Sequence, residues 1–364
     1  MKVATILGTR PEIIKLSPLI PLLEKELTSE NHIIIHTGQH YDHEMDAVFF
    51  DELRLKKPDH ALKVGSHPQG KQTGLMLQKI EEVLITEKPD LVVVQGDTNT
   101  TLAGALAAAK LGIKVAHVES GCRSFNREMP EEINRILTDA ISSYLIAPDE
   151  DAVENLHKEG VKGKILHLGS TAFDAALRMK EFVDIDFKTT HNDYGIEEGK
   201  YVLLTLHRAE NTTPDRLASI LSVLNEIGKD IPIVFPIHPR TSKVVMEQKI
   251  DVSNLKVIPP ASYLKFISLL AHCRFCVTDS GGIQEEALVF NVPCLIPRNE
   301  TEWTRLVDAG KNILVGTEAE NIKKNIVDLW NDDNKLKSIK EIDVDYPKNV
   351  SENILKEILN EKYT

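Results

Sequence analysis

Residues 275–290 read FCVTDSGGIQEEALVF. Phe275-Cys276-Val277-Thr278 is a short run of apolar and β-branched residues with no polar face, the pattern of a strand covered on both sides. Asp279-Ser280-Gly281-Gly282 breaks that run, and helix-forming residues follow it. Strand, tight polar turn and helix make the unit from which a parallel sheet is wound. A helix that opens on two glycines leaves its first backbone N–H groups uncovered at its positive end, which suits a phosphate or pyrophosphate. No glutamate or glutamine stands three residues after Ser280 to close a capping box over those donors. A serine-capped tight turn explains the same residues locally, so the position of the turn in the fold has to decide.

Working outward, the same unit recurs along the chain. Strand patterns fall at Val3-Leu7, Ile33-His36, Leu91-Val94, Val115-Val118, Tyr144-Ala147 and Ile165-Leu168. They resume at Tyr201-Leu206, Ile233-Pro236, Lys256-Ile258, Phe275-Thr278, Cys294-Ile296 and Ile313-Val315. Helical patterns separate them. The fold class expected is α/β, with two Rossmann-like doubly wound parallel-sheet domains, residues 1–172 and 173–348, and a C-terminal helix over 349–364 whose docking site stays open. Between the halves, the region from Thr171 to Lys200 reads as a helical segment followed by a polar linker, DFKTTHNDYGIEEGK. The polar clusters GTRPE, GQH, QGDT, ESGCR, LHRAEN, IHPR, TDSGG and RNETE all follow strands. Ligands of open α/β sheets bind outside the carboxyl ends of the strands, so the two domains are expected to face one cleft lined by these clusters.

The 364 residues carry a formal charge of −12, with 42% apolar and 27% charged residues. These are globular values, and the negative balance argues against a nucleic-acid groove or an anionic membrane surface. No run of about eighteen apolar residues is available to span a bilayer. The apolar start is short and meets Arg10 early, unlike a secretory signal, so a cytoplasmic protein is expected. Cys273 and Cys276 form a CxxC pair, but no second ligand pair of matching spacing accompanies it, and its apolar setting, HCRFCV, reads as buried thiols.

Two nucleotide motifs are tested and set aside. GSHPQGKQT, residues 65–73, has the glycine and lysine spacing of a P-loop, but Gln72 stands where a magnesium-ligating Ser or Thr belongs and Pro68 interrupts the loop. GxGxxG is absent, which argues against a tightly held NAD or FAD. Neither cofactor nor metal is expected, and an inversion of configuration has to run through proton transfer and bond cleavage.

Asp97, Glu119 and Glu131 follow strands or open a helix, and three carboxylates near one cleft supply acid and base groups. Each also has a structural reading: Asp97 as a helix cap before Thr98, Glu119 paired with Arg123, Glu131 serving the helix dipole or Arg135. His207, at a strand's carboxyl end, is placed to protonate or neutralise a departing group. Arg10, Lys15, Arg208, His238 and Arg240 offer cations for phosphate, and Glu286, one turn after Gly281-Gly282, is placed to accept ribose hydroxyls.

Five ordered motifs, GTRPEIIKLSPL, QGDTNTTLAGALAA, HVESGCRS with MPEEINR, TLHRAEN and TDSGGIQEE, resemble those of the non-hydrolysing UDP-N-acetylglucosamine 2-epimerases over almost the whole chain. The resemblance implies a fold of the glycosyltransferase B type, a homodimer, and reversible conversion of UDP-GlcNAc to UDP-ManNAc through UDP elimination to 2-acetamidoglucal, supplying ManNAc for surface polysaccharides or glycans. It places Asp97, Glu119, Glu131 and His207 on catalytic positions and Arg10, Lys15, His238, Ser280, Gly281 and Glu286 on nucleotide-binding ones, to which the guanidinium of Arg208 and the helix-opening Gly282 are added on their own chemistry. A regulatory substrate site of the bacterial enzymes maps onto Gln39, His40, Lys71 and Gln72, with lysine in place of arginine at 71. Trp303 replaces an arginine of the family's TERPE loop, as in relatives that act on UDP-2,3-diacetamido-2,3-dideoxyglucuronate, so that sugar is the alternative substrate. A UDP-sugar glycosyltransferase and a non-catalytic UDP-sugar sensor are the alternatives from other classes.

Overall fold

A computed structural model describes residues 1–28, 30–39, 49–208 and 210–359. The chain divides into two compact units, Met1–Ala175 together with the chain from Pro347 onward, and Ala176–Tyr346.

The first unit is built on a parallel sheet of β1 (Val3–Leu7), β2 (His32–His36), β3 (His60–Ala61), β4 (Leu91–Gln95), β5 (Lys114–Val118), β6 (Tyr144–Ala147) and β7 (Lys164–His167), in the order β3-β2-β1-β4-β5-β6-β7. Its helices are α1 (Arg10–Leu16), α2 (Leu19–Leu27), α3 (Gln69–Glu87), α4 (Asn99–Lys110), α5 (Pro130–Ile141) and α6 (Glu150–Glu159). Strands β1 and β4 are fully buried, as their unbroken apolar runs require. Small residues let α4 lie close on them: a Cβ at Gly104 would stand 3.2 Å from Ile6 and Val94 side-chain atoms. The winding reverses between β1 and β4, so the loops after these two strands, GTRPE and QGDT, emerge side by side.

The second unit repeats this logic with β8 (Val202–Thr205), β9 (Ile233–Pro236), β10 (Lys256–Ile258), β11 (Phe275–Thr278), β12 (Cys294–Ile296) and β13 (Asn312–Leu314), ordered β10-β9-β8-β11-β12-β13. Its reversal falls between β8 and β11, which sets LHRAEN beside TDSGG. The helices that matter for the site are α8 (Pro214–Ile227), α9 (Pro239–Gln248), α10 (Tyr263–Ala271), α11 (Gly281–Val289) and α12 (Thr304–Asp308). Cys273 and Cys276 are buried free thiols, and Cys276 stands opposite Cys294 in the β11–β12 register.

Two expectations change. The polar linker is not one: α7 (Thr171–Tyr194) runs through 24 residues and takes in most of DFKTTHNDYGIEEGK. Its polar composition hides an inward stripe, Val183 and Phe187, four residues apart, with Phe187 stacked 4.1 Å from the His272 ring. The edge strand β3 is two residues long and carries no pattern to read. The C-terminal helix (Val350–Leu359) packs on α2, and the Ser351 amide donates to Asp174 at 2.6 Å. Among the described residues no helix is long and apolar enough to cross a membrane.

Candidate active site

In the first unit a buried carboxylate joins the two switch-point loops. Glu12, 1% exposed, accepts from the amides of Gly8 (2.8 Å) and Thr9 (2.7 Å), and from the hydroxyls of Thr98 (2.7 Å) and Thr101 (3.1 Å). Burial raises its pKa against the pull of these hydrogen bonds. The glutamate of GTRPE is thus committed to architecture, while the helix it caps presents Arg10, whose guanidinium lies 4.9 Å from the Phe49 ring centre, and Lys15.

Lys15 Nζ donates to both Glu119 oxygens, at 2.6 and 2.7 Å, and Gln95 Nε2 donates to the same carboxylate. This corrects the pairing of Glu119 with Arg123, whose guanidinium instead reaches Asp139 at 2.7 Å and Glu159 at 2.6 Å. Glu119 is held at φ 69°, a left-handed conformation that costs an L side chain about 1–2 kcal/mol. Backbone strain of this kind persists where the surroundings over-determine it.

Asp97 accepts from Arg135 Nη2 at 2.5 Å, and its carbonyl accepts from Asn134 at 2.9 Å. It does not cap a helix: Thr98 is the N-cap of α4 and accepts from the Thr101 amide. Burial raises the Asp97 pKa, and the Glu119 charge adds to that, against Arg135 and Lys15. A carboxyl so tuned holds and releases a proton nearer neutrality than an ordinary aspartate. Glu131 is exposed in the first turn of α5, after Pro130. Its expected partner Arg135 forks between Asp97 and Glu132, the latter at 2.7 Å. Arg135 was legible only as a helix neighbour; its position in MPEEINR, one turn after two glutamates, was the available signal.

Asp97 and Glu131 line one cavity of about 390 Å³ together with Thr9, Gln39, Gln72 and Asn99. Gln39 accepts from the Thr100 amide and hydroxyl at 3.0 and 2.9 Å. Gln72 is 6% exposed and donates to the carbonyls of Gln39 and Gly65 while accepting from Asn99. Both glutamines therefore shape the cavity wall. Lys71 is exposed, and His40 lies outside the described residues.

In the second unit, Asp279 directly follows β11 and has no exposed surface. It accepts from the amides of His207 (3.1 Å) and Arg208 (3.0 Å), from Asn211 Nδ2 (3.1 Å), and pairs with His207 Nδ1 at 3.0 Å. Burial would raise its pKa, but His207, Asn211 and the amide donors outweigh burial and hold it below the usual range. Sequence reasoning passed Asp279 by; its signal was an acidic residue directly after a wholly apolar strand. His238 lies with its ring 6.0 Å from that of His207 and caps α9, its Nδ1 accepting from the Arg240 amide.

Ser280 is the N-cap of α11 with no side-chain cap hydrogen bond, and Gly281 and Gly282 form the first helical positions. A Cβ on Gly282 would meet nothing within 4 Å; one on Gly281 would come 3.4 Å from Glu302 Oε2 and 3.8 Å from Arg208 Nη2. Glu302 joins Arg208 at 3.0 Å and Arg298 at 2.7 Å. Glu286 is half-buried one turn further along α11. Trp303 caps α12, with the Arg305 guanidinium 5.6 Å from its ring centre.

Comparison with known proteins agrees with the ordered motifs. The family model described as UDP-N-acetylglucosamine 2-epimerase matches residues 25–359. The chain is 49% identical to the UDP-N-acetylglucosamine 2-epimerase of Methanococcus maripaludis over 88% of its length and 89% of the relative's. It is 45% identical to the UDP-2,3-diacetamido-2,3-dideoxy-D-glucuronate 2-epimerase of Pseudomonas aeruginosa, over 88% of this chain and 90% of that one. The crystal structure of Methanocaldococcus jannaschii UDP-GlcNAc 2-epimerase in complex with UDP-GlcNAc and UDP superposes with a TM-score of 0.84 at 46% identity, covering 99% of this chain and all of that one. With a match of this length and identity and two parallel-sheet units, the chain belongs to the UDP-N-acetylglucosamine 2-epimerase family, a family of carbohydrate isomerases.

Proposed function

We propose that the protein inverts C2 of UDP-N-acetylglucosamine, reversibly forming UDP-N-acetylmannosamine. One carboxylate removes the C2 proton as the C1–O bond to UDP breaks, the C2–H electron pair becomes the C1=C2 bond of 2-acetamidoglucal, and UDP departs with the bonding pair. UDP oxygen then re-forms the C1–O bond while a proton arrives on the opposite face of C2, so the substrate undergoes no net oxidation or reduction. The single observation that carries this reading is the half-buried carboxylates Asp97 and Glu119, ion-paired with Arg135 and Lys15, with Glu131 on the same cavity as Asp97. Two proton-transfer groups are what inversion through a planar C2 demands. The His207–Asp279 dyad, Arg208, His238, Ser280 and the open amides of Gly281 and Gly282 supply cationic and dipolar partners for the leaving diphosphate, with Glu286 for the ribose. Incubation with UDP-GlcNAc in D2O is expected to yield deuterium at C2 and UDP-ManNAc. An unlabelled sugar with no product rejects the reading, and exchange only with the diacetamido-glucuronate, the substrate favoured by the Trp303 loop, reassigns it.

The resemblance to dimeric enzymes is supported by an exposed apolar stripe on α5, Ile133 and Leu137, both 46% exposed and one turn apart, with Phe125 and Met129 also exposed in the segment before that helix. We infer that a second copy of the chain covers this stripe, since one patch facing itself across a two-fold axis closes a dimer. Four free cysteines, three of them buried, fit a reducing compartment, the cytoplasm.

A further inference from the structure

His117 stands near the end of β5 with no exposed surface, and both its ring nitrogens face acceptors. Nε2 lies 2.7 Å from the carbonyl oxygen of Gly96, which can only accept, so Nε2 carries a proton. Nδ1 lies 2.6 Å from Asp139 Oδ1. Burial would raise the Asp139 pKa, but a charged His117 and Arg123 outweigh it and hold the group below the usual range. The other Asp139 oxygen accepts from Arg123 Nη2 at 2.7 Å and from the Gly121 amide at 3.0 Å. An ionised carboxylate has no proton to lend, so Nδ1 carries one too. Either neutral tautomer would set one lone pair of a fully buried ring against an acceptor, a repulsion in place of a hydrogen bond.

The groups fixed by this ring flank the candidate acid and base. Gly96 directly precedes Asp97 and sits at φ 74°, and Glu119 follows His117 by two residues at φ 69°. Gly121, two residues further, sits at φ 80°, and a Cβ there would stand 2.3 Å from the Ala152 carbonyl oxygen. Two left-handed turns thus carry the two carboxylates, and one charged ring with its counter-ion holds both. Asp139 lies on α5, the helix that also bears Glu131 and Arg135, so the same contacts register that helix against both turns.

We propose that His117 is a positioning residue for the epimerisation, acting as a buried imidazolium that locks the Asp97 turn to the Glu119 turn through Gly96 and Asp139. The proposal rests on reading Asp97 and Glu119 as the acid/base pair, but the protonation it requires is testable apart from that reading. A neutron structure of the full chain exchanged into D2O is expected to show nuclear density on both ring nitrogens. His117→Phe and Asp139→Asn are expected to lower kcat about a hundredfold, the scale of a misplaced reacting group, with KM for UDP-GlcNAc nearly unchanged. His117→Asn, which keeps one donor, is expected to fall between them and the parent. Density on one ring nitrogen only overturns the proposal, and so does a folded His117→Phe protein whose Tm falls while kcat holds. If the unaltered chain is inactive on UDP-GlcNAc while both nitrogens prove protonated, the functional reading fails and the imidazolium stands.

Discussion

His207 Nδ1 lies 3.0 Å from Oδ1 of Asp279, a carboxylate with no exposed surface. The two residues are 72 positions apart and meet because β8 and β11 are neighbours at the sheet's reversal. The carboxylate occupies Nδ1 and so fixes how the imidazole is turned; under the proposed function, Nε2 is the nitrogen left to serve a departing phosphate oxygen.

Asp279→Asn keeps the shape but removes the charge that orients and supports the ring. Turnover should drop by about a hundredfold or more, the range of lost general-acid assistance. Steady-state kinetics beside a circular dichroism spectrum checks this; a folded variant with parental kcat would show that His207 needs no such partner.

A base must be ionised to work, and the Asp97 pKa is raised, by burial first and by the Glu119 charge, so the acid limb of kcat/KM should lie above the ordinary aspartate range. Arg135 opposes that rise. Removing its charge in Arg135→Gln disfavours the carboxylate further, which moves the limb to higher pH. A pH–rate profile of both proteins measures the displacement, and a limb that moves down reverses the electrostatic argument. Asp97→Asn and Glu131→Gln should each lose about 10²- to 10⁴-fold in turnover, read as loss of C2 deuterium exchange.

The strain at Glu119 separates from its chemistry by comparing two truncations. Glu119→Ala and Glu119→Gly both remove the carboxylate and should both be inactive. Glycine accepts φ 69° without a Cβ penalty, so it should be the more stable of the two by roughly 1 kcal/mol. Urea denaturation gives the difference, and an alanine variant as stable as the glycine one would mean the turn relaxes.

Ile133→Glu and Leu137→Glu each place a charge in the exposed apolar stripe. In an isolated chain such surface changes are expected to shift stability by only about 0.5 kcal/mol. Sedimentation should instead show a dimer converted to monomer. A dimer that survives both changes assigns the interface elsewhere.

The fold was readable because its strands are buried on both faces. Uninterrupted runs such as Val3–Leu7 and Phe275–Thr278 cannot sit at a surface, and the polar cluster after each marks a strand's carboxyl end. Where burial leaves no such trace the reading stopped: β3 spans only His60 and Ala61, and α7 crosses a stretch whose surface polarity outnumbers its inward Val183 and Phe187.

Which residue types stand at the site was likewise local information, carried by GTRPE, QGDT, HVESGCR, LHRAEN and TDSGG. Their partners were not. Lys15 pairs with Glu119 across 104 positions, Arg135 chooses Asp97 over its own helix neighbour Glu131, and Asp139 joins His117 to Arg123. Periodicity and turn chemistry act over a few residues, and they determine helices, strands and the polar clusters between them. Charge pairing depends on which strands become neighbours and how far each carboxylate is removed from water, so only the tertiary structure decides which of these groups are tuned for proton transfer.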